Sequence, residues 1–115
     1  MNDFKSKNTL EKRATESINI MSKYPDRLPV IVEKHHTCTL PNIDKCKYLV
    51  PKDLTMGQFI YVIRKRIKLE PSQSLFISVK HSMVPSSKTL FDIYNSNKDE
   101  DGFLYIVYTN ENTFG

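Results

Sequence analysis

The sequence predicts an α+β fold: a four-stranded mixed sheet with a capped helix crossing one face and an amphipathic N-terminal helix on the other. Three observations predict it. Four short runs rich in β-branched and aromatic residues recur along the chain, at 28–34, 46–51, 75–80 and 103–108. A helix-opening box, Thr55-Met56-Gly57-Gln58, stands between the second and third runs. A further helical stretch, 10–24, precedes them all. At 115 residues the chain suits a single domain with one core.

Residues 10–24 have helical periodicity, with Leu10, Ala14, Met21 and Tyr24 on one stripe and Glu11, Lys12 and Glu16 away from it. Ile18 and Ile20 fall at opposite edges of that stripe, which suits either the rim of a pocket or a broad apolar face. Residues 3–8 allow one more helical turn. Pro25 ends the helix, because the residue before a proline avoids the α conformation. A turn at Tyr24-Pro25-Asp26-Arg27 then leads into strand 28–34, where Pro29 is tolerated near the start.

Residues 35–44 connect this strand to Cys46-Lys47-Tyr48-Leu49-Val50-Pro51, and the pair reads as an antiparallel hairpin with an irregular loop. Side chains alternate along a strand, so Lys47 and Leu49 share one face while Tyr48 and Val50 share the other. Lys45, Lys47 and Pro51 mark an edge strand. Two readings stay open from pattern alone: both faces are covered by the protein's own helices, or the edge receives a strand from a partner.

Leu54 and Phe59 flank the Thr55 box with the spacing of a hydrophobic staple. The helix continues to about Leu69 on a stripe of Met56, Ile60, Ile63 and Ile67, with Phe59 and Val62 expected half-exposed at one edge. Glu70-Pro71-Ser72 stops it. Strand 75–80 follows, then a turn at 81–85 and a short helix at 89–94. The run Asp99-Glu100-Asp101-Gly102 is expected to be a solvated turn. Phe103-Leu104-Tyr105-Ile106-Val107-Tyr108 is the most apolar strand and is expected at the centre of the sheet. Residues 109–114 are expected to form a loose tail. Without its first helix the chain reads ββαβ(α)β, the order of a ubiquitin-like β-grasp.

Seventeen Lys and Arg against thirteen Asp and Glu give a net charge of +4, compatible with a nucleic acid, an anionic membrane or an acidic protein and selecting none. The basic clusters Lys5, Lys7, Lys12, Arg13 and Arg64, Lys65, Arg66, Lys68 are expected on solvated helix faces, without an aromatic-glycine ribonucleoprotein motif. No run reaches the ~18 apolar residues of a membrane span, and the start of the chain lacks a secretory h-region, so an intracellular location is expected. Cys38 and Cys46 are expected to be free thiols. His35, His36, Cys38 and Cys46 do not have the paired spacing of a zinc site, and Asp99-Glu100-Asp101 lacks the alternation of a calcium loop. No nucleotide-binding or nucleophile-elbow motif is present, and the chain is expected not to be an enzyme.

Four stretches, L10-EKR13, K23-YPDRLPVIVEK-34, D44-KCKYLVPKDLTMGQFIYVIRKRI-67 and K98-DEDGFLYIVYTNENTFG-115, together resemble the ubiquitin-like autophagy modifiers, which include GABARAP and the microtubule-associated light chains. The resemblance spans nearly the whole chain. It implies an N-terminal helical extension at 1–25, a β-grasp core at 26–108 and a flexible conjugation tail at 109–115, ending in Gly115 joined covalently to phosphatidylethanolamine, with no other cofactor. It also implies two pockets for an aromatic-x-x-aliphatic (W/F/Y-x-x-L/I/V) segment. The first corresponds to Glu16, Ile20, Pro29, Lys47, Leu49 and Phe103. The second corresponds to Tyr48, Val50, Pro51, Leu54, Phe59 and Val62, with Arg27, Lys45 and Arg66 meeting acidic flanks. Positions i and i+3 of an added strand point to opposite faces, so one anchor would enter from each side of the sheet.

The implied partners are motif-bearing receptors and adaptors, activating and conjugating enzymes, a processing or deconjugating cysteine protease, and a phospholipid membrane. The implied locations are the cytoplasm and the autophagosomal membrane. Cys46 stands where many relatives carry lysine or threonine, and Ile18 where a polar residue is usual. Family precursors often continue beyond the glycine, so this chain is either ready for conjugation or a trimmed form. Two other functions remain as alternatives: an unconjugated ubiquitin-like adaptor in vesicle trafficking, and a nucleic-acid or tubulin-binding domain using Lys5, Lys7, Arg64 and Lys65.

Overall fold

The computed structural model describes residues 3–111. The elements run α1 (Asp3–Lys7), α2 (Leu10–Lys23), β1 (Arg27–Lys34), β2 (Lys47–Pro51), α3 (Met56–Arg66), β3 (Phe76–Val79), β4 (Ser82–Met83), α4 (Leu90–Asn97) and β5 (Leu104–Thr109). The sheet has the order β2-β1-β5-β3-β4, with β1 antiparallel to β2 and parallel to β5. The expected apolar strand, β5, is central. The sheet has five strands instead of four: Ser82–Met83, expected in a turn, folds back on β3. Such a strand is two residues long, too short to leave a periodic signal.

Alternation along β5 divides the molecule into two layers. Leu104, Ile106 and Tyr108 join Met56, Phe59 and Ile63 of α3 and Leu90, Ile93 and Tyr94 of α4 in the main core. On the other face, Phe103 and Tyr105 meet Phe4 of α1, with ring centroids 5.2 and 6.4 Å away. The capping box of α3 forms as expected: the Gln58 amide donates to Thr55 Oγ1 at 3.2 Å, and the Thr55 amide donates to the Gln58 side chain at 2.9 Å. Thr109, expected in a loose tail, instead closes β5 opposite Phe76 and is fully buried.

The N-terminal helix docks on a stripe rotated from the expected one: Ala14 and Met21 are partly buried, with Met21 against the main core. Leu10 and Tyr24 are 43% and 40% exposed, while Arg13 and Ser17 are buried. The partner that buries them is the acidic turn, which is not solvated. Arg13 Nη1 donates to Asp101 Oδ2 at 2.6 Å, and Ser17 Oγ donates to the Asp101 carbonyl at 2.5 Å. Asp101, 1% exposed, also accepts from the Tyr105 hydroxyl at 2.6 Å and the Phe103 amide at 2.8 Å. Gly102 is required here, because its φ is +89° and a Cβ would lie 2.4 Å from Ser17 Oγ. Arg13 is therefore not on a solvated face. A buried charge is retained because its hydrogen-bonding partners are all supplied.

The turn before α2 is helical as expected, and α1 is anchored to β1. The Phe4 amide donates to Glu33 Oε2 at 3.2 Å, whereas Glu33 Oε1 has no partner. Burial pushes the Glu33 carboxyl above its ordinary 4.5. The folded state then holds this proton more tightly than the unfolded chain, so the stability tied to it is full below the unfolded pKa and is lost as pH rises through the folded one. Glu33→Gln is accordingly expected to raise Tm at pH 8 by a few degrees, with the gain fading in acid. Thermal unfolding across pH checks this, and a gain that persisted at pH 4 would contradict it.

Candidate functional site

The candidate site is the outer margin of β2, the first strand in the sheet order. Its register pairs Leu28 with Val50, Pro29 with Leu49 and Val30 with Tyr48. One strand residue beyond, the Val32 amide donates to the Cys46 carbonyl at 2.7 Å. Antiparallel hydrogen bonding alternates, so Cys46, Tyr48 and Val50 turn their main chain inward to β1, while Lys47 and Leu49 turn theirs outward. Pro29 has no amide to donate, and its place opposite Leu49 is a position where none is needed.

The outward Leu49 carbonyl is engaged locally: Arg27 Nη1 donates to it at 3.1 Å. This exposed side chain covers the acceptor as an edge cap. An added strand would have to displace it.

The residues expected in the first pocket sit on the layer of α1 and α2. Lys47 pairs with Glu16 of α2, and Lys47 Nζ also lies 5.5 Å from the centroid of the Phe4 ring. Leu49 and Ile20 are half-buried, Pro29 is buried and Phe103 is fully buried beneath Phe4. Glu16 and Ile20 also line an open hollow of about 780 Å³ that runs along α2 past Thr9, Lys12 and Tyr24. The chain's own Phe4 occupies part of the space over Phe103, and a Lys47–Glu16 ion pair bridges α2 to the edge.

The residues expected in the second pocket sit on the opposite layer. Tyr48 and Val50 are buried, Pro51 and Leu54 are half-buried, and Val62 is exposed on α3. Phe59 is not half-exposed: it is 1% exposed and packs edge-on against Tyr48 at 5.7 Å. The helix is rotated so that Phe59 joins Met56 and Ile63 on the core stripe, while Ile60 is only partly buried. Phe59 is thus a core residue and Val62 a surface one.

The three flanking cations differ in availability. Lys45 Nζ lies 5.4 Å from the Tyr48 ring centroid. Arg66 is engaged within the chain, donating to Asp44 at 3.2 and 3.3 Å. Sequence reasoning missed Arg27's bond to Leu49 and the role of Phe4. The signal for the second was an aromatic in an otherwise polar N-terminal turn. Gly115 lies outside the described residues.

Among the described residues no His, Cys, Asp and Glu group of three or more converges to hold a metal ion. Cys38 is a buried free thiol and Cys46 an exposed one. No described helix is long and apolar enough to cross a membrane.

A sheet of this order, with one helical layer built around α3 and a second of N-terminal helices, defines a ubiquitin-like protein whose β2 margin is unpaired by any described strand. The family model described as "Autophagy protein Atg8 ubiquitin like" matches residues 12–115. Autophagy-related protein 8B of Oryza sativa subsp. indica is 57% identical over 112 residues, covering 97% of this chain and 94% of that protein. Autophagy-related protein 8c of Arabidopsis thaliana is 56% identical over the same coverage. The crystal structure of Trypanosoma brucei ATG8 superposes with a TM-score of 0.92 at 44% identity, covering 100% of this chain and 99% of that one. The chain belongs to the Atg8 family of ubiquitin-like autophagy proteins.

Proposed function

We propose that this protein is a conjugated modifier and not an enzyme: the Gly115 carboxylate is joined to the amine of phosphatidylethanolamine, and β2 recruits receptors bearing aromatic-x-x-aliphatic segments to autophagosomal membrane. The observation that carries the recruiting half is the outward turn of the Lys47 and Leu49 main chain at an edge whose side chains alternate between two layers. A segment added there would exchange ladder hydrogen bonds with Lys47 and Leu49, displacing Arg27. Its aromatic anchor would enter beside Leu49 and Ile20, and its aliphatic anchor beside Leu54 and Val62. Freed Arg27, with Lys45 and Arg66, would then meet acidic flanks, which speeds encounter and weakens with salt.

Conjugation would use the chemistry of a glycine carboxylate. Attack of the carboxylate on ATP gives an acyl adenylate and pyrophosphate, an enzyme thiol displaces AMP to form a thioester, and the lipid amine displaces the thiol to leave an amide. A glycine lets such a terminus enter narrow sites that a Cβ would obstruct. Family membership and the resemblance of the last residues to the modifiers support this half.

Two variants test the two halves separately. Leu49→Ala is expected to weaken a W-x-x-L peptide by about 1–3 kcal/mol in calorimetric titration, the range of interface anchors. Unchanged affinity in a folded variant would remove the pocket assignment. Gly115→Ala is expected to abolish the lipid-bearing mass in the membrane fraction of cells. Retention of membrane association without that mass would instead favour the unconjugated trafficking adaptor.

A further inference from the structure

A second hollow, of about 350 Å³, lies on the α1 side of the sheet toward β3, across β1 and β5 from the β2 margin. Tyr105 and Ser78 line its sheet side, and five cationic or protonatable side chains line it as well: Lys5 from α1, His35 and His36 just past β1, and Lys80 and His81 from the β3–β4 turn. Asp99 is the single carboxylate among its lining residues, and it is already held by Lys5 at 2.6 Å and Arg13 at 4.0 Å. The Lys80 ammonium therefore has no carboxylate among the lining residues to balance it, and the His36 and His81 rings line the same hollow. The His35 ring stacks on His36 at 4.3 Å. Burial first, then His36 and His81, holds its pKa below 6.5, with Glu111 opposing.

The backbone supplies an independent observation. Lys80 and His81 have φ of +50° and +66°, both left-handed, in the two-residue turn between β3 and β4. Such turns favour Asn-Gly, and side chains branching from these positions incur backbone strain. Strain held by the surrounding structure at an adjacent lysine and histidine is a mark of a functional position. A metal does not fit, because no ligand triad converges among the described residues.

We propose that this hollow binds a phosphomonoester of small size, the phosphate group of a polyol phosphate, either free or carried on a lipid headgroup. The volume is at the small end for ligand sites, and compact donors such as lysine ammonium and imidazole N–H suit tetrahedral phosphate oxygens. The proposal is independent of the β2 reading, since none of these residues belongs to that edge.

The test titrates the full chain with inositol 1,4,5-trisphosphate by calorimetry and amide NMR. A parallel arm uses phosphatidylcholine vesicles with and without phosphatidylinositol 4,5-bisphosphate. The soluble headgroup is expected to shift the amides of His36, Lys80 and His81. Lys80→Asn/His81→Gly removes the ammonium and the imidazole while suiting the turn, so it is expected to bind at least about tenfold more weakly without losing thermal stability. His36→Ala, an exposed substitution, is the second variant and is expected to weaken binding in the same direction. Affinity for a W-x-x-L peptide is expected to be unchanged in both. Binding of the soluble headgroup alone would assign a free phosphate, and variant-sensitive binding to the phosphoinositide vesicles would assign the lipid source. Absence of binding in both arms, or binding undiminished in both folded variants, would overturn the proposal.

Discussion

Asp101→Ala is expected to lower the unfolding free energy by about 3–5 kcal/mol, the cost of removing one partner from a buried ion pair. The carboxylate is fully enclosed and accepts from three donors: Arg13, the Tyr105 hydroxyl and the Phe103 amide. Alanine leaves the Arg13 guanidinium with the Asn8 carbonyl at 3.1 Å and Asp99 at 4.0 Å, neither of which replaces a contact at 2.6 Å. The tyrosine hydroxyl, whose ionisation is already pushed far up by burial and by Asp101, loses its acceptor as well. Denaturant unfolding measures the loss, and a change under 1 kcal/mol would show that the pair is not what seats α2. The substitution is also expected to increase hydrogen exchange selectively in α2, because the Ser17 bond to the same turn depends on its geometry.

Phe59→Ala is expected to be nearly as costly, about 3–5 kcal/mol, as is typical of phenylalanine truncation in a packed core. The ring is fully enclosed, packs edge-on against Tyr48 and forms part of the floor beneath β2. Any loss of peptide affinity in this variant therefore mixes a damaged floor with a damaged fold. Thermal unfolding separates the two: a variant with near-parental Tm would show that Phe59 is a rim residue after all. Leu49, half-buried on the opposite layer, is the cleaner probe of the edge.

The difference between these side chains marks how far the candidate site was legible. The alternation Lys47/Leu49 against Tyr48/Val50 required only strand periodicity, and the observed burial follows it. The edge position was legible from Pro51 and the flanking lysines. Phe59 was misplaced because helical periodicity defines a stripe only to within the width of one side chain. Ile60 and Phe59 are adjacent in sequence and about 100° apart on the wheel, and packing against Tyr48 selected one of them. Arg27's bond to the Leu49 carbonyl spans 22 residues and had no local signature.

Local chemistry alone determined the hairpin of β1 and β2, the Thr55–Gln58 cap, the proline stop at Pro25 and the apolar character of the central strand. Each depends on residues close in sequence, where propensity, periodicity and capping act directly. Tertiary structure decided what Arg13, Ser17 and Asp101 do. By composition they belong to a basic cluster, a helix flank and an acidic turn, all of which suit water. Their burial depends on contacts across 84 and 88 residues, where each polar group becomes the other's solvent. Tertiary structure likewise gathered Lys5, His36, Lys80 and His81 from three separate segments around one hollow, a convergence of charge that linear spacing does not encode.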